Sequence, residues 1–222
     1  MIKSLLYKEW IKTRWFLLAI AIAGAIIEIY MFLRVGRSIR LVGAEHIWDV
    51  VVNRDQFLFY HIKYFPLAAG IVLGLSQFIP EVIDKRIKLT FHLPLPEKTI
   101  TSVMTGYGFT VLLALFLIQY VSLLAGIRSL FAFEITVTAA LTLLPWFVAG
   151  ICAYLACVFV CVEPSWRMRI PNFLIGVAII RTLFISGFPG AYIKMSLFMI
   201  AITVMFTLFL WLSVYRLKIG RQ

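Results

Sequence analysis

Trp15-Phe-Leu-Leu-Ala-Ile-Ala-Ile-Ala-Gly-Ala-Ile-Ile-Glu-Ile-Tyr-Met-Phe-Leu-Arg-Val35 decides the class of the fold. Crossing ~30 Å of hydrocarbon takes ~20 mostly apolar residues, and this run is that long. Lys3, Lys8, Lys12 and Arg14 before it, and Ala21-Ile-Ala23 within it, imitate a cleaved secretory signal. The apolar run continues past that site to Leu33, which is too long for a signal core and right for an anchor.

Working outward, the same character recurs. The 222 residues are 63% hydrophobic and only 14% charged, with a mean hydropathy of +0.99; soluble domains are nearer half apolar. Five further runs are candidate spans: Tyr64–Ile79 (beginning near Phe57), Thr101–Ala125, Ile135–Val162, Pro171–Ser186 and Met195–Tyr215. Backbone groups in lipid must be satisfied within the segment, and the alternation of a barrel strand is absent, so the spans are helices. The expected fold is an all-α integral membrane protein, a single transmembrane domain over 1–222 with six spans. Ile2, Leu5, Leu6 and Trp10 recur at helical spacing and predict an interfacial amphipathic helix over 2–14, lying in the plane of the membrane.

The net charge of +11 raises nucleic acid as a partner, but the basic residues are scattered over the connections and form no basic face. Topology accounts for them: most Lys and Arg fall on the side that holds both termini, which places both ends in the cytoplasm, and the Arg34–Lys63 connection carries the main exceptions. No nucleic acid is expected.

The parts of an enzyme are missing. There is no Gly-x-x-x-x-Gly-Lys-Ser/Thr loop for nucleotide hydrolysis, and His46, His61 and His92 all lie off the bilayer centre, where none serves an intramembrane serine nucleophile. The acids are dispersed singly and do not cluster for Mg²⁺. Cys152, Cys157 and Cys161 share the fourth span without His or carboxylate and read as small buried hydrophobes. Glu45, His46 and Asp49 fit one helical turn but are common on solvated turns, so no metal or other cofactor is expected in this chain.

The richest extramembrane stretch is Glu81–Lys98, a charged segment closed by Pro94 and Pro96. As a helix it carries Ile83, Ile87 and Phe91 on one stripe and Asp84, Lys88 and His92 on another. One stripe suits the membrane surface and the other a soluble partner; an interfacial loop helix with no partner fits the pattern as well.

Glu81, Lys85-Arg86, Lys88-Leu89 and Leu93-Pro94 before a new span resemble the coupling segment of the type-2 (ABC-2-like) family of ATP-binding-cassette permeases. The Lys8-Glu9 pair near the N-terminus and the six-span plan are similar too. That resemblance implies a cytoplasmic coupling helix between spans two and three, in which Glu81, Lys85, Arg86, Lys88, Leu89, His92, Leu93 and Pro94 engage a separate ATPase dimer that holds ATP and Mg²⁺. It also implies a second permease copy or a related permease, residence in a bacterial inner membrane, and export. Leu93-Pro-Leu-Pro96 is similar to a stretch of the haem-export permeases within the same class. A membrane scaffold or receptor subunit that binds a non-ATPase partner is the alternative from another class, and a stand-alone channel or secondary transporter is a third.

Glu28 and Arg181 are the acid and base set well inside spans, where charges are rare and face a partner or a water-filled path. They suggest an ion pair, within or across subunits; the alternative is that Arg181 snorkels to the headgroups while Glu28 is protonated or faces a neighbour's backbone.

Overall fold

A computed structural model describes residues 2–43, 59–83, 96–186, 188, 190–195, 198–199 and 201–208. Five helices carry the architecture: α1 (Ile2–Val42), α2 (Phe65–Ile83), α3 (Glu97–Leu130), α4 (Phe133–Val162) and α5 (Trp166–Thr182). Short 3₁₀ turns stand at Tyr60–Ile62 and Ile193–Met195, residues 201–208 are helical, and no strand occurs among the described residues. Among the described residues four helices are long and apolar enough to cross a membrane: Ile2–Val42, Tyr60–Ile83, Thr99–Leu130 and Phe133–Val162. The fifth expected span is a 17-residue helix that rises only ~25 Å, and the sixth runs partly outside the described residues.

Local chemistry sets the breaks. Gly43, at φ 88°, ends α1 in the left-handed conformation that L side chains avoid, and its N–H donates to the Ile39 carbonyl at 3.1 Å. Pro96 caps α3: its carbonyl accepts from Thr99 and Ile100, and a proline there gives up no needed donor. Glu163 precedes Pro164, which disfavours the helical region for it; it sits at φ −62°, ψ 123°, and α4 stops.

The bundle is built around α4. Its largest interface is with α2, and α3 and α5 pack on other sides, while α1 lies against α2 and α3. The α2–α4 contact is backbone to backbone: a Cβ on Gly70 would run into the Gly150 carbonyl oxygen, and one on Gly150 into the carbonyl of Pro66. At Gly74 an added Cβ would sit 2.8 Å from the Cys157 Cβ. Such close approach is how helices associate where surrounding lipid is as apolar as the side chains.

Three expectations need correction. No separate interfacial helix exists over 2–14; those residues are the first turns of the 41-residue α1. The buried stripe Leu5, Glu9, Thr13, Leu17, Ile20 and Gly24 runs straight from the N-terminus into the span, while Ile2, Leu6 and Trp10 are exposed. A helix whose polar stripe is docked on α2 and α3 cannot also lie flat on the membrane. Pro171 does not open the fifth helix, which begins five residues earlier at Trp166. The described helices also extend beyond the expected spans, α3 from Glu97 to Leu130 in place of Thr101–Ala125.

Candidate functional site

α1 and α3 begin, and α2 and α4 end, at the same end of the bundle, and there the structure buries a charged network. Glu9 and Glu81 are both fully buried. Lys8 reaches both Glu81 oxygens, at 2.9 and 3.1 Å, and Lys12 lies between the two acids, 2.9 Å from Glu9 and 3.2 Å from Glu81. Two lysines thus balance two carboxylates.

The network continues inward. Gln77 donates to Glu9 Oε2 at 3.0 Å and to the Met104 carbonyl at 2.7 Å, while its own Oε1 accepts from the Tyr154 hydroxyl at 2.8 Å. Tyr154 also approaches the Thr105 carbonyl at 3.1 Å. Thr13 donates back to the Glu9 carbonyl, and its hydroxyl meets that of Tyr107 at 3.0 Å. Side chains from all four helices, with backbone carbonyls of α3, are joined in one cluster. In low dielectric each such bond is stronger than in water, and each missing one is costly.

Helical spacing explains why these residues meet. Gln77 and Glu81 are four apart on α2, continuing the buried stripe Ala69, Gly70, Leu73, Gly74. Glu9 and Thr13 hold the same register on α1. The sequence reading singled out Glu81 but placed it on a surface facing a partner; it faces Lys8 and Lys12 inside the bundle. It missed Gln77, Tyr107 and Tyr154. The available signal was polar residues falling on an otherwise apolar stripe. Lys85, Arg86, Lys88, Leu89, His92, Leu93 and Pro94 lie outside the described residues, so Glu81 marks the root of that segment.

Glu28 and Arg181 do not pair within the chain. Glu28 accepts from Ser122 of α3 at 2.6 Å and lines a groove between α1 and α3, whereas Arg181 lines a separate groove between α2 and α5. Lys8 and Lys12 form ion pairs with Glu9 and Glu81 instead.

Among the described residues no three His, Cys, Asp or Glu side chains come close enough to hold a metal ion. Glu45, His46 and Asp49 lie outside those residues. The three cysteines are free thiols, buried or half-buried on α4. No protein-family model matches the chain, and no curated protein or solved structure matches it.

Proposed function

We propose that the chain is the permease subunit of an ATP-binding-cassette transporter: six spans, both termini in the cytoplasm of a bacterial cell, assembled with a second copy or a related permease. A separate ATPase dimer, carrying ATP and Mg²⁺, grips residues 81–98. The observation that supports this reading is the bonding of Lys8, beside Glu9, to Glu81. The two places that carry the family resemblance, far apart in sequence, touch at the root of the coupling segment.

The consequence is mechanical. A push on residues 84–95 enters α2 at Glu81, reaches α1 through Lys8 and Lys12, and reaches α4 through Gln77 and Tyr154. Three helices then move as one body, which is the kind of rigid tilt that alternating access uses. Export is the direction the resemblance implies.

The test is recovery of the native complex in mild detergent, with mass spectrometry of what copurifies, from cells making the chain or its Arg86→Ala/Leu89→Ala form. The expected outcome is a P-loop ATPase that copurifies with the first and is lost from the second while the permease remains in the membrane. An unchanged set of partners, or a partner without a P-loop, would turn the reading to the scaffold class.

A further inference from the structure

Two cavities on the far side of α4 from α1 are one trough. The first, ~190 Å³, lies among Leu75, Ala153, Ala156, Cys157, Phe173 and Gly176; the second, ~600 Å³, is headed by Tyr64, Arg181 and Phe184. Both include Ile71, Val177 and Ile180, so the two adjoin between α2 and α5, and α4 floors the first of them. At the narrow end α5 comes close to α4: a Cβ on Gly176 would stand 3.3 Å from that of Ala156. From Phe65 to Leu75 the wall advances ~15 Å, which is one leaflet of a ~30 Å hydrocarbon core.

The trough is apolar along its length and cationic at one end. Arg181 is exposed there, and no carboxylate pairs with it among the described residues. Tyr64 and Phe184 stack at 5.5 Å beside it. Behind those rings Lys63 is 4% exposed, bonded at 2.6 Å to the Tyr60 hydroxyl and 5.6 and 5.9 Å from the Tyr64 and Phe184 ring centroids. Among the described residues no Asp or Glu lines either cavity. A guanidinium is a planar fork suited to phosphate oxygens, and a cation near the membrane interface attracts anionic headgroups. A protein helix seated here would have to bring an acid to Arg181; an anionic lipid brings its charge at the head of a chain that fits the groove.

We propose that this trough seats one anionic phospholipid, its phosphate on Arg181 and one acyl chain lying along α4 between α2 and α5. Its cationic head, Arg181, is at the opposite end of the bundle from the Glu9–Glu81 network, and the site stands independently of any ATPase.

The experiment is native mass spectrometry of the purified full chain with palmitoyl-oleoyl phosphatidylglycerol or the matching phosphatidylcholine, with folding followed by thermal melting. The expected result is one retained phosphatidylglycerol, preferred about fivefold, the ratio that ~1 kcal/mol per interfacial cation gives. Arg181→Gln should abolish the preference and leave the melt unchanged. Val177→Trp, which fills the trough from an exposed position, should reduce retention of both lipids. Glycerol phosphate, a headgroup without a chain, should not displace the lipid. Equal retention of the two lipids, a preference that survives Arg181→Gln, displacement by glycerol phosphate, or a dimer that dissociates on Val177→Trp would each overturn the proposal.

Discussion

α1 and α4 are nearly equal in hydropathy, 2.4 and 2.2 over their most apolar windows, yet 22% of the first window is buried and 72% of the second. In water such similar strings would compete for the interior. In hydrocarbon an exposed Leu18, Ile22 or Ile26 costs nothing, so apolarity marks the membrane and says little about the core. Small residues alone do not mark it either, since α1 has Ala19, Ala21, Ala23, Gly24 and Ala25, of which only Gly24 is buried. α4 is central because Gly150 meets α2 on one side and Ala156 meets α5 on the other. α1 is held instead by polar groups. Its buried stripe includes Glu9 and Thr13, which must turn inward in such surroundings.

The largest expected effect breaks the α4 side of this comparison. Gly150→Leu forces side-chain atoms into the Pro66 carbonyl and the Phe116 ring and should cost over about 3 kcal/mol, losing folded protein. Ala23→Leu on the exposed face of α1 adds nearly as much bulk and should change stability by less than about 0.5 kcal/mol. Reversible detergent unfolding of the two variants compares them directly; equal losses would mean that α1 packs against a further element as tightly as α4 does.

The next effects test the polar attachment of α1. Gln77→Leu strips a donor from Glu9 and the Met104 carbonyl and an acceptor from Tyr154, and should cost about 3 kcal/mol. Glu81→Gln should cost less, about 1 kcal/mol, because Lys12 keeps Glu9 and Lys8 is 37% exposed and stays hydrated. If the order is reversed in the same unfolding assay, the ion pairs and not the amide hold α1 in place.

The smallest effect belongs to Glu28→Gln, under about 0.5 kcal/mol, since an amide oxygen still accepts from Ser122. The charge swap Glu28→Arg with Arg181→Glu sharpens the remaining form of the Glu28–Arg181 pair, the one across subunits. Rescue of assembly in the double charge swap, scored by crosslinking in membranes, would establish that pairing; absence of rescue would leave each charge to its own groove.

The helical class and the presence of long apolar helices were legible from hydropathy and length, because a span must be ~20 apolar residues whatever it packs against. The breaks at Pro96 and at Glu163-Pro164 were legible too, as proline chemistry is local. Residues 2–14 were misread because amphipathic spacing looks the same whether the helix lies on a membrane or continues as the end of a long span. Their docked face is Leu5, Glu9 and Thr13, and two of those three are polar.

The sequence by itself determined that the chain is built of long apolar helices and that its charges gather at their ends, since both follow from the cost of unpaired polar groups in hydrocarbon. Only the tertiary structure decided that Glu81 pairs with Lys8 and Lys12, that Gln77 joins Glu9 to Tyr154, and that Arg181 heads a trough far from Glu28. The reason is physical: which charges meet depends on how helices distant in sequence are set side by side, and that is settled by backbone contacts such as Gly70 on Gly150, which no periodicity encodes.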